Sequence, residues 1–198
     1  MPIQIIWGND IQSCENEIEK IINSNISKQW ESFNLSKLDG NEENQVFKAL
    51  EEVQNAPFGD RSRIILLKNN PIFNIKNDKF AAKFESSVRN IPDSNFLILF
   101  GVNKPDSRMK TTKFLNKLIK SKKAFESSYN LPSIWDSESQ VRYVEETSRN
   151  LNINLDENAA QAIIESIGTE STKLDNELKK ALLYISATDK NLLTVKDI

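Results

Sequence analysis

Ile3-Gln4-Ile5-Ile6-Trp7-Gly8-Asn9-Asp10 opens the chain with a short apolar run, a glycine and an acidic residue. The run reads as a buried strand, and Gly8-Asn9-Asp10 as the turn that stops it. Asp10 then caps a helix whose residues Ile11, Cys14, Ile18, Ile21 and Ile22 fall at helical spacing. Strand, tight turn and helix make the first half of a strand–helix–strand unit, and the alternation recurs downstream. Arg63-Ile64-Ile65-Leu66-Leu67-Lys68 and Phe96-Leu97-Ile98-Leu99-Phe100 are continuous apolar runs, as expected of strands covered by helices on both faces. Glu31 to Leu38 alternates well enough for another strand, with Phe33 and Leu35 on one face, and Ala124-Phe125-Glu126 reads as a weak last one. Between them, helical patterns carry Val46, Leu50 and Val53, then Phe80, Phe84 and Val88, then Leu115, Leu118 and Ile119. The expectation is an α/β domain with a mainly parallel sheet over residues 1–132.

Leu131-Pro132-Ser133 reads as a linker, and the patterns after it are helical. Asp136-Ser137 can cap a helix with Val141, Val144, Ser148 and Leu151 in register. Asp156 can cap a second, with Ala159, Ile163 and Ile167 in register and Gly168 at its end. A third starts near Thr169 and carries Leu174, Leu178, Leu182 and Ile185. Residues 133–198 are therefore expected to form a small three-helix bundle, placed as a lid would be.

Composition narrows the chemistry. The chain has 198 residues, 26 Lys and Arg against 28 Asp and Glu, and a net charge of −2, so its totals do not mark a general nucleic-acid binder. It has no histidine, which removes the commonest general base and the commonest metal ligand together. A single cysteine, Cys14, excludes an internal disulfide and a multi-cysteine zinc site. The N-terminus lacks the pattern of a signal peptide and no apolar run approaches a membrane span, so a cytoplasmic location without membrane contact is expected.

An α/β domain followed by a helical lid suggests a nucleotide-binding ATPase. The test is the turn after the first strand, where a phosphate-binding loop reads G-x-x-x-x-G-K-S/T. Here Gly8-Asn9-Asp10-Ile11-Gln12-Ser13-Cys14-Glu15 has no second glycine and no lysine, and Asp10 and Glu15 add negative charge where phosphates would bind. The strand that should end in acidic residues for a hydrated Mg²⁺ ends in Lys68-Asn69-Asn70. Glu15, Glu19, Glu42 and Glu43 lie on helix faces and read as solvated surface, not as a catalytic pair. No catalytic residue, cofactor or metal is expected.

Two further features admit two readings each. Phe58 sits in the punctuated turn Pro57-Phe58-Gly59-Asp60, off the stripe of Val46, Leu50 and Val53. It either folds back as a core or staple residue or stands exposed as a binding anchor. The stretch from Lys104 to Lys123 carries eight basic residues and only Asp106 against them. Lys110, Lys113 and Lys117 are its candidate DNA-phosphate contacts, and a solvated helix face is the competing reading that the acidic net charge favours. Trp7, Trp30 and Trp135 are expected to be packing residues.

The order of these segments resembles the delta-subunit family of bacterial DNA polymerase III clamp loaders. Ile5-Ile6-Trp7-Gly8-Asn9-Asp10 is similar to that family's opening strand and turn; Ala56-Pro57-Phe58-Gly59-Asp60-Arg61-Ser62-Arg63 with Ile64 to Asn69, and Pro92-Asp93-Ser94-Asn95 with Phe96 to Leu99, resemble its next two strands and their approaches; Leu174-Asp175-Asn176-Glu177-Leu178 resembles its lid signature. The resemblance implies an AAA+-like, P-loop-type α/β domain without a functional P-loop, followed by the three-helix lid. It implies a non-catalytic subunit that binds and opens the sliding clamp for loading onto primed DNA, while polymerase and ATPase activities belong to partner subunits. Phe58 matches the aromatic member of the family's clamp-binding pair, and Pro57 stands where some members have leucine. The family's C-terminal collar domain would follow Ile198, so contact with other loader subunits is expected through a domain outside these residues. The alternatives are an inert AAA+ adaptor like the delta-prime subunit and a nucleotide-using enzyme with an atypical phosphate loop.

Overall fold

The computed structural model describes residues 2–156, 158–188 and 192–198. Five strands, β1 (Ile3–Trp7), β2 (Leu35–Asp39), β3 (Ile64–Lys68), β4 (Phe96–Gly101) and β5 (Ala124–Ser128), form one sheet in the order β2-β3-β4-β1-β5. Every pairing is parallel; Ile5 of β1, for example, lies between Leu99 of β4 and Glu126 of β5. The connecting helices are α1 (Ile11–Asn25), the single turn α2 (Glu31–Asn34), α3 (Glu43–Glu52), α4 (Asp78–Arg89) and α5 (Lys110–Lys120). The continuous apolar strands are buried on both faces, with Ile64 to Leu67 and Leu97 to Leu99 all but inaccessible. Phe84, Phe80, Val88, Phe114 and Leu115 of α4 and α5 join Val46 and Leu50 of α3 in the same core. The fold class expected from the sequence is the one observed.

β1 leads on to β2 at one edge of the sheet, and its neighbour β4 leads to β5 at the other. Ligands of open α/β sheets bind at such a reversal, beyond the carboxyl ends of the strands. Gly8 directly follows β1 there, and its N–H donates to the Gly101 carbonyl at the end of β4 at 3.2 Å.

The chain packs as two units: Met1–Asn9 with Cys14–Tyr129, and Asn130–Ile198 with Asp10–Ser13. The second contains α6 (Ser137–Asn150), α7 (Ala159–Ile167) and α8 (Ser171–Thr188) around Val144, Ile163, Leu174 and Leu178. Asp136 caps α6 by accepting from the Ser139 N–H, Asp156 accepts from the Ala159 N–H before α7, and α7 ends at Gly168 with φ +75°.

Two expectations are corrected. The strand expected over Glu31 to Leu38 begins only at Leu35, because Glu31–Asn34 is a helical turn. Asn34 causes the difference: its side-chain amide donates to the Trp30 carbonyl one turn back, at 3.3 Å, and its side chain is occupied by a second segment described below. Phe33 consequently leaves the face it would share with Leu35 and points to solvent. Trp135, expected to pack, is 87% exposed, since it lies in the tight turn from Ser133 to Asp136, closed by the Asp136 N–H donating to the Ser133 carbonyl at 3.0 Å, just before α6.

Candidate functional site

The start of α1 is the first place to look. A helix N-terminus presents unpaired N–H groups and partial positive charge, and in nucleotide-binding folds phosphate takes that position. Here the chain supplies its own oxygen atoms. Asp10, almost fully buried, accepts from the Ser13 N–H at 3.1 Å and from the Ser13 hydroxyl at 2.7 Å. Within the second unit, the Tyr143 hydroxyl of α6 donates to the same carboxylate at 2.9 Å, and the Gln12 N–H donates to Ser171 Oγ of α8 at 3.5 Å. Burial, and then the Asp10 charge, push the Tyr143 hydroxyl far above its ordinary value, so it stays a donor. Gly8 has φ +146°, and a Cβ there would lie 1.7 Å from the Tyr129 carbonyl oxygen, so the space beside this glycine is filled by the chain's own backbone. Lys68, at the end of β3 where Mg²⁺ chemistry would need an acid, forms an ion pair with Glu15 of α1 at 3.1 Å.

The second place is the turn before β3. Phe58 is 58% exposed, and its half-buried neighbour Pro57 approaches it from α3. Phe58 is therefore not a core residue. The turn is nevertheless fixed. Asn34, fully buried, accepts from the Phe58 N–H at 2.7 Å and donates to the Phe58 carbonyl at 2.8 Å. Asp60 accepts from the Ser27 N–H at 2.7 Å and from the Arg61 N–H at 2.7 Å, which ties the turn to the residues before Trp30. Those two N–H groups, that of Ser27 first, hold the Asp60 carboxyl below its usual range. Gly59 has φ +69°, and a Cβ on it would meet the Trp30 ring at 2.8 Å, so only glycine lets the turn lie on that indole. The Phe58 ring meets the edge of Trp30 at 5.7 Å and lies 5.5 Å from the ring of Phe33, itself 57% exposed. Sequence reasoning singled out Phe58 but not the neighbours that surround it, Trp30, Phe33 and Asn34. The signal was there as two aromatics three residues apart followed by a polar residue, which fits a helical turn as well as a strand.

The basic residues of α5 are separated by their surroundings. Lys110 forms an ion pair with Asp78 of α4 at 2.7 Å. Lys113 and Lys117 are exposed and make no ion pair among the described residues. Residues 76–123, which include α4 and α5, hold 12 Lys and Arg against four Asp and Glu, a local +8 in a chain whose total is −2. Among the described residues no group of three His, Cys, Asp or Glu could hold a metal ion, and no helix is long and apolar enough to cross a membrane.

Comparison with known proteins gives a consistent answer. The family model for the DNA polymerase III delta subunit matches residues 5–125. DNA polymerase III subunit delta of Bacillus subtilis (strain 168) is 27% identical over 124 residues, 59% of this chain and 35% of that protein. The solved Bacillus subtilis DNA clamp loader delta protein has the same fold, with a TM-score of 0.76 at 19% identity over 100% of this chain and 57% of that one. The chain thus spans about a third of the length of the curated relative and little more than half of the solved one.

Proposed function

The chain belongs to the DNA polymerase III delta-subunit family, and on that premise we propose that it is a non-catalytic clamp-loader subunit that binds the sliding clamp and favours its opened form during DNA replication. The observation that carries this reading is Phe58, an aromatic ring more than half exposed on a turn whose backbone is held by hydrogen bonds to Asn34. Interface energy concentrates in a few aromatic anchors, and a ring fixed before binding loses little entropy on docking. Pro57 restrains the approach to the anchor. On this reading residues 1–132 and 133–198 act as an AAA+-like domain and a lid, and the loader's ATP chemistry belongs to partner subunits. The closed start of α1 supports the non-catalytic part, since Asp10 holds the position a phosphate would need.

The test is surface plasmon resonance on the immobilised cognate sliding clamp, with a thermal melt of each protein. Phe58→Ala is expected to weaken binding at least about thirtyfold, with little change in melting temperature. A variant that melts much earlier while its folded fraction binds normally would make Phe58 a structural residue and remove it from the site.

A second reading concerns DNA. Lys113 and Lys117, with Lys110 behind its ion pair, are proposed to meet phosphates of the primed DNA, and the local +8 of residues 76–123 favours this.

A further inference from the structure

We infer that Phe33 is a second clamp anchor, so that the docking element is a two-ring face built from two separate segments and not the Phe58 turn alone. This rests on the clamp-binding reading above. Phe33 and Phe58 are equally exposed, at 57% and 58%, and their centroids lie 5.5 Å apart with the rings tilted by 40°. Both rings rest on Trp30, at 6.0 and 5.7 Å, and Trp30 is itself half-buried beneath Gly59. The register between them is fixed by one residue. Asn34 adjoins Phe33 in the chain and binds both backbone polar groups of Phe58, so α2 and the turn cannot slide past each other without breaking two part-buried hydrogen bonds. A pocket that admits the Phe58 ring therefore has the Phe33 ring at its mouth.

The area of the face indicates the shape of its partner. Two half-exposed phenylalanine rings offer roughly 200 Å², far below the roughly 800 Å² per side of a stable flat interface. Charged and polar residues surround it, with Lys28, Glu31, Ser32 and Arg61 exposed or partly so. A small apolar tip with a polar rim is too small to hold a second copy of this chain, and on the clamp-binding reading above it is a tip that the clamp takes up. Asn34 is then a positioning residue, and Trp30 a platform.

The experiment measures clamp affinity by surface plasmon resonance for the wild type, Phe33→Ala, Phe33→Leu, Phe58→Ala and the Phe33→Ala/Phe58→Ala double variant, each with a thermal melt. Phe33→Ala is expected to bind about tenfold more weakly with a melting temperature near that of the wild type. Phe33→Leu, which keeps apolar bulk, should recover most of the loss. The double variant should bind at least about threefold more weakly than Phe58→Ala alone, because Phe33 makes contacts of its own. Normal binding by Phe33→Ala beside weak binding by Phe58→Ala overturns this inference and leaves the clamp reading standing. A double variant no weaker than Phe58→Ala also overturns it, by reducing Phe33 to a prop. A wild type that fails to bind the clamp sinks both.

Discussion

At the start of α1, Asp10, Ser13, Tyr143, Gln12 and Ser171 direct their hydrogen bonds at one another; around Phe58, the polar groups bond inward to Asn34 and Asp60 and the rings face out. The first region has the topology of a ligand site and is filled by the chain. The second is a connection with no such topological privilege, and it presents unsatisfied apolar surface. An open α/β sheet does not dictate where its recognition chemistry sits. A buried carboxylate at a helix start disfavours anionic ligands there, whereas exposed aromatic rings are the kind of surface on which protein interfaces concentrate their energy.

The sharpest way to break the filled region is Gly8→Ala. The new Cβ would sit 1.7 Å from the Tyr129 carbonyl oxygen, at φ +146°, so backbone must move and no rotamer relieves it. Glycine-only backbone conformations cost other residues about 1–3 kcal/mol before any overlap, and the clash adds to that. The expected result is a loss of at least about 3 kcal/mol in urea unfolding, or a chain that does not fold. A near-normal unfolding midpoint would show that the turn is not as filled as the geometry says.

A smaller break is Asp10→Ala. It removes the helix cap, worth about 1 kcal/mol, and leaves the part-buried Tyr143 hydroxyl without its acceptor, at about another 1 kcal/mol. Stability should fall by about 2 kcal/mol in total. Asp10→Asn, which still accepts hydrogen bonds, should lose less. Neither variant should acquire Mg²⁺-dependent ATP binding by calorimetry, because the glycines and lysine of a phosphate loop are still missing. Saturable ATP binding by Asp10→Ala would mean that the carboxylate alone had been holding the nucleotide out.

The two regions were unequally legible in the sequence. The parallel sheet could be read because its strands are continuous apolar runs, and the lost phosphate loop because a motif of fixed spacing was absent. Asp10 was read as a cap from its position alone. Its bond to Tyr143 joins residues 133 positions apart, which no local pattern encodes. Alternation over Glu31 to Leu38 satisfies period two and makes Phe33 a strand residue, whereas the Asn34 side chain, bonded to the Trp30 carbonyl one turn back and to the distant Phe58 backbone, goes with a helical turn over Glu31–Asn34. Trp135 was assigned to packing because large aromatics usually are buried, a tendency that says nothing about one particular residue.

The least disruptive probe of the aromatic tip is acid. Asp60 joins the Phe58 turn to Ser27, ahead of the Trp30 segment, through a carboxylate that accepts from two backbone N–H groups. Those bonds lower its folded-state value below the ordinary one, with the Ser27 N–H the larger cause. A group with a depressed folded value contributes stability above its unfolded value and loses that contribution as pH falls through the folded value. The tie is therefore complete at neutral pH and weakens only below about pH 4. Asp39, Asp106, Asp136 and Glu170 are depressed as well, so an acid melt of the wild type alone would not isolate Asp60. The difference between wild type and Asp60→Asn does. Asp60→Asn should melt slightly earlier than wild type at pH 7, and the gap should close as pH drops below about 4, when the wild-type carboxyl takes up its proton. A gap that stays constant across that range would show that the shape of the Asp60 side chain, and not its charge, holds the turn against the Trp30 segment.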